Sequence, residues 1–179
     1  MLRAQEIQIS QVSPFPNAHN VRSAVVTDLQ GSSTYPCFEL GNPTSLLFQF
    51  DLIQEDREWL KYTLVHTDWE GRICGVDRSQ YIQGFVEQEI QDMEFGYNTT
   101  TNFVHYSLPF PNEFMSPMVS GRYWLLIYKN DDWEDAANHI LAFPLFVYQS
   151  QINMAAKMER APGEGYFSKE MLRVEAYPT

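Results

Sequence analysis

SLLFQFDLI, residues 45–53, is the stretch whose reading decides the fold. Leu46, Phe48, Phe50 and Leu52 fall on one side of an extended chain, with Gln49 and Asp51 on the other, the period of two that a half-buried β-strand requires. Working outward, EWLKYTLVH (58–66) repeats the pattern with Leu60, Tyr62 and Leu64 on one face. VRSAVVTDL (21–29), PCFEL (36–40), QDMEFGYNT (91–99), FVHYSLPF (103–110), GRYWLLIYK (121–129) and HILAFPLFVYQ (139–149) are further strand candidates. Gly, Pro, Asn and Asp signals separate them: LGNP, PFPN, VSGR and KNDDWED. EDREW (55–59) and GFVEQEIQDM (84–93) are the only two stretches whose pattern could make a short helix.

Strands at this spacing, with no strand–helix alternation, predict an all-β protein: an antiparallel sandwich over residues 1–150, its strands running from about 20 to 148. Core candidates are Leu46, Phe48, Phe50, Leu60, Tyr62, Leu64, Leu125, Ile127, Phe143 and Leu145; HILAFPLFV is apolar on both faces, so Phe143 and Leu145 are the hardest of these to orient. Residues 151–179 carry two short alternating stretches around a Pro-Gly-Glu-Gly turn, too little to close a core. They read as a C-terminal appended hairpin, or as the first strands of a following domain.

The 179 residues are 44% hydrophobic and 15% aromatic, enough to bury a sizeable core. Twenty-three acidic against 12 basic residues give a net charge of −11, which disfavours nucleic acid and anionic lipid, since such binding rests on Lys and Arg neutralising phosphates. No apolar run reaches the length of a membrane span, and MLRAQEIQIS lacks the apolar centre of a signal peptide. Cys37 and Cys74, the two cysteines, are too few for a disulfide framework; a single bridge and two free thiols both remain open.

The chemistry turns on YTLVHTDWEG (62–71). On a strand His66 and Asp68 would share a face and could meet a common ligand, but zinc needs at least three protein ligands. His19, His105 and His139 lie in separate segments without ligand spacing, so no metal is expected and Trp69 is read as covering an end of the sandwich. No nucleophile elbow, phosphate-cradling glycine loop or His-Glu-x-x-His helix occurs. The carboxylates Glu55, Asp56 and Glu58, Glu87, Glu89, Asp92 and Glu94, and Asp131, Asp132, Glu134 and Asp135 sit in polar, turn-like surroundings and read as solvated loops. Calcium at the last group would lack the EF-hand pattern. No catalytic residue and no cofactor is therefore expected. Asn98-Thr99-Thr100 fits a glycosylation acceptor.

Five blocks in order, LGNPTSLLFQFD, LKYTLVHTDW, QYIQGFVEQEIQDMEFGYNT, FVHYSLPFPN and SGRYWLLIYKNDD, resemble the N-terminal domain of the type IX secretion system plug-protein family of Bacteroidetes. The matching positions are Tyr62, Thr63, His66, Asp68, Trp69, Tyr81, Gly84, Phe85, Asn98, Thr99, His105, Tyr106, Ser107, Leu108, Ser120, Gly121 and Tyr123. Thr67 alone stands where the family commonly has Cys-Asn-Ala, and HILAFPLFV lacks the arginines that often end the domain. The resemblance implies that the sandwich is immunoglobulin-like and a non-enzyme: a periplasmic, outer-membrane-associated interaction module whose partner is the outer-membrane secretion barrel, without membrane insertion. Family members are usually longer. Trp69, Tyr97 and Trp133 are the candidate interaction anchors. A carbohydrate-binding β-sandwich is the alternative, with Trp59, Trp69 and Trp133 as sugar-stacking platforms.

Overall fold

The computed structural model describes Ala18 and residues 20–32, 34–42, 46–54, 56–96, 99–160 and 170–178. The chain divides into two compact units, Met1–Tyr148 and Gln149–Thr179. Both are built of strands: β1 (Val21–Asp28), β2 (Cys37–Glu39), β3 (Leu46–Ile53), β4 (Lys61–Thr67), β5 (Ile82–Gly84), β6 (Gln88–Glu89), β7 (Asp92–Phe95), β8 (Phe103–Phe110), β9 (Met115–Pro117), β10 (Gly121–Tyr128), β11 (His139–Tyr148), β12 (Ile152–Arg160) and β13 (Glu170–Pro178). Among the described residues the helical turns are two 3-10 turns, Arg78–Gln80 and Ala136–Asn138, and no helix is long and apolar enough to cross a membrane.

In the first unit one sheet runs β1-β3-β8-β7 and a second β2-β11-β10-β4-β6, with β5 and β9 as a small separate pair. Their apolar faces meet. Phe48 of β3 lies 5.0 Å from Phe143 of β11 and 6.4 Å from Phe110 of β8, centroid to centroid, while Phe50 stacks on Tyr106 at 5.1 Å. All ten core positions expected from the alternation are buried.

Three expectations are corrected. GFVEQEIQDM forms no helix: it runs from the end of β5 through β6 into β7, as the chain crosses from the second sheet to the first. Residues 56–59 are likewise not helical; Glu55 lies outside the described residues. The sheets are not wholly antiparallel, because β2 pairs parallel with β11, Phe146 opposite Cys37 and Tyr148 opposite Glu39. Alternation reveals that PCFEL is a strand but carries no information about the direction of its neighbour.

β10 and β11 read as apolar on both faces because both faces are covered. Tyr123, Leu125 and Ile127 point into the main core, whereas Trp124, Leu126 and Tyr128 join Val65 and Ala142 in a second cluster on the outer side of that sheet. Loops following β4 and β10 close over this outer face.

The second unit is a two-stranded antiparallel ribbon with Ile152 opposite Pro178 and Arg160 opposite Glu170. Pairs directly opposite share a face. One face therefore carries Ile152, Met154, Ala156 and Met158 against Pro178, Ala176, Val174 and Leu172; the other carries Asn153, Lys157, Glu159, Arg173 and Glu175 among its members.

Candidate interaction surface

β4 ends at Thr67, and the next residue is a turn-former rather than a ligand. Asp68 Oδ1 accepts the backbone N–H groups of Glu70 and Arg72, each at 2.9 Å, and Oδ2 accepts Arg72 Nε at 2.9 Å. The Arg72 contacts hold the Asp68 carboxyl below the usual range. His66 instead turns inward, its ring 4.8 Å from Tyr123 and 5.6 Å from Tyr81. Burial lowers its pKa, so the neutral imidazole is favoured. A Cβ on Gly121 would stand 2.7 Å from His66 Nε2, which explains the glycine at the start of β10. His66, Tyr81, Gly121 and Tyr123 are thus one packed aromatic corner, and the structure separates His66 from Asp68. Among the described residues no three His, Cys, Asp or Glu side chains gather as a metal site, and Cys37 and Cys74 are free thiols.

Of the expected anchors, Trp69 is 82% exposed at the tip of this turn, its backbone carbonyl held by Arg122 Nη1 at 3.2 Å. Trp133 is half-buried, packed on the second cluster, and its carbonyl accepts His139 Nε2 at 2.7 Å. Tyr97 and Asn98 lie outside the described residues. Trp59 is exposed, but Arg57 covers one ring face at 4.2 Å, as Arg78 covers Trp133 at 4.8 Å. Two of the three candidate sugar platforms therefore have one stacking face occupied.

Arg78 is the residue that sequence reading missed. Its guanidinium donates to Thr63 Oγ1 at 3.1 Å and to Glu87 Oε1 at 3.0 Å while lying over Trp133, joining the cover to the sheet at three points. Burial, then the Glu87 charge, raises the pKa of Tyr128 in the same cluster. Arg78→Met keeps the aliphatic stem but strands the Glu87 carboxylate beside Tyr128. We expect a loss of about 1–3 kcal/mol in denaturant unfolding, with Glu87→Gln less costly because it leaves no unpaired anion.

Of the carboxylates at 131–135, two act as turn caps. Asp132 Oδ1 accepts the N–H of Glu134 at 3.0 Å and of Asp135 at 3.3 Å, Asp135 caps the 3-10 turn at Ala136–Asn138, and Asp131 pairs with Lys61. A second unforeseen cluster lies on the outer face of the first sheet. His105 Nδ1 donates to Asp51 at 2.7 Å, and the Gln49 amide lies 3.2 Å from His105 Nε2. The partners are more than fifty residues apart in sequence, and only the β3–β8 register brings them together. With Nε2 facing an amide rather than a hydroxyl, the pair does not form a nucleophile-activating triad.

The family model described as "Type 9 secretion system plug protein 1st domain" matches residues 21–149. A crystal structure of a hypothetical protein from Parabacteroides merdae shares the fold with a TM-score of 0.71 at 23% identity. The match covers 83% of this chain but only 37% of that one. A search of curated proteins finds no match. With well over half of its length matched by that model, spanning the whole two-sheet body from β1 to the end of β11, the chain belongs to the family of type IX secretion system plug protein first domains.

Proposed function

We propose that this domain has no turnover of its own and acts by contact, as an immunoglobulin-like module of a plug-like protein that docks on, or closes, the periplasmic side of the type IX outer-membrane translocon. The family match carries the reading. It is supported by the caps, pairing and packing that account for His66, Asp68, Asp131, Asp132 and Asp135, and by an exposed tryptophan whose backbone is pinned while its ring is free to be covered. In this reading the protein is periplasmic and outer-membrane associated. A plug must release, so its interface should be modest, with few aromatic anchors inside a polar rim.

The net charge of −11 favours a neutral or basic contact patch on the barrel, and binding should weaken as salt rises. Trp69→Ala separates contact from folding: stability should stay within about 0.5 kcal/mol, as for an exposed loop residue, while binding to purified barrel weakens by about 2 kcal/mol. Salt-insensitive binding unaffected by this change counts against it, and a defined glycan bound by the domain in place of the barrel would replace it with the carbohydrate-module reading.

We also propose that β12 and β13 open a following domain that covers their apolar face. Met154 and Met158 are 75% and 60% exposed, and a two-stranded ribbon is at best marginally stable in water. In a longer protein with that domain, both methionines should resist peroxide oxidation; in this chain they should oxidise readily, which peptide mass spectrometry reads.

A further inference from the structure

The cover on the outer side of the second sheet is not continuous. Between the loop that follows β4 and the loop that follows β10 lies a groove of about 270 Å³ with Val65 on its floor, Ile73 and Val76 along one wall and Trp133 on the other. Asp77 and Glu134 stand on its rim. Ile73 and Val76 are 50% and 45% exposed, although the structure around them is firmly held.

Its walls are pinned. Ile73 bridges to Thr67, the Cys74 N–H donates to His66 O at 3.0 Å, and the Asp77 side chain caps the 3-10 turn at Arg78–Gln80. Across the groove, Asp132 and His139 fix the loop on either side of Trp133. A preformed apolar slot avoids the ordering cost that a mobile loop would impose on a ligand. Two larger concavities lack this combination. One is lined mainly by charges of both signs, including Arg57, Glu58, Lys61 and Asp131; the other lies around Asn112, whose amide is already committed to Tyr62 and Pro109.

Charge selects the occupant. Among the described residues the one cation lining the groove, Arg78, is matched by Glu87, leaving the rim carboxylates of Asp77 and Glu134 and the neighbouring Asp132 and Asp135 to set the sign of the field. We propose that this groove receives an extended segment of the translocon protein that places one or two apolar side chains over Val65 and a flanking Lys or Arg against Asp77 and Glu134. The proposal rests on the plug reading and deepens it by naming where, and by what chemistry, contact is made.

The test uses the full chain in cells that export through the type IX route, with photoreactive p-benzoylphenylalanine replacing either Val76, in the groove, or Val25, exposed on the outer face of the other sheet. A cross-link from position 76 to the barrel, mapped to a peptide that contains Lys or Arg beside apolar residues, is expected. Combining Asp77→Asn with Glu134→Gln keeps the cap and removes two charges; it should reduce low-salt association with the barrel by about tenfold without moving the melting temperature. Cross-linking from position 25 alone overturns the groove and leaves the plug reading intact. A captured segment without basic residues overturns the proposed chemistry. Absence of the barrel from both products overturns the plug reading and this inference with it.

Discussion

Phe48→Ala lowers the stability of the two-sheet body by about 3–5 kcal/mol, the cost of removing a fully buried aromatic ring and leaving a cavity. Phe48 has no exposed surface and sits between Phe110 of its own sheet and Phe143 of the facing one, so the void opens where the sheets meet. Against a total of about 5–15 kcal/mol for a typical domain, such a loss brings the fold to the edge of unfolding at 37 °C. Urea unfolding followed by tryptophan fluorescence measures it, and a midpoint equal to the native one would remove Phe48 from the core.

Gly84→Ala should cost about 3 kcal/mol by two additive routes. Gly84 has φ +93°, where an L-residue pays about 1–2 kcal/mol, and its added Cβ would lie 2.2 Å from the carbonyl oxygen of Phe114. That oxygen belongs to backbone, so relief requires β5 and β9 to part, which weakens the 2.8 Å bond from the Phe85 N–H to the same carbonyl. Gly41 offers the control: its φ is similar, but its Cβ would meet no atom within 4 Å, so Gly41→Ala pays the conformational cost alone. Equal melting temperatures for the two variants would contradict the steric part of this account.

The fold was legible in the sequence wherever one face of a strand is wet. β3 and β8 alternate cleanly because Gln49, Asp51, His105 and Ser107 line the sheet's outer side. In β10 and β11 the expected Leu125, Ile127, Phe143 and Leu145 do face the main core, but alternation is weak there because the Val65–Trp124–Leu126–Tyr128 cluster buries the second face as well. The short strands β5, β6 and β9 span two or three residues, below the length at which alternation can be read. The segment at 84–93 instead crosses between sheets, from the end of β5 through the polar two-residue β6 into β7.

The candidate surface was legible in part. Trp69 and Trp133 stand out by residue type in turn-rich sequence, and the structure sets them on the two loops that flank the outer face of the second sheet. Arg78 carried no signal of its own. Its meaning depends on Thr63 and Glu87, 15 residues before and nine after, converging through a loop whose path sequence spacing does not encode. The same holds for Asp51 and His105, which only register makes neighbours.

The most direct test of the central claim is affinity isolation of the full-length protein from cells in which cargo export is blocked, so that the closed state of the translocon accumulates. The account predicts that the outer-membrane barrel co-purifies at low salt, is released as salt rises, and is depleted when Trp69 is replaced by alanine. Recovery of the full-length protein without the barrel under all of these conditions would contradict it.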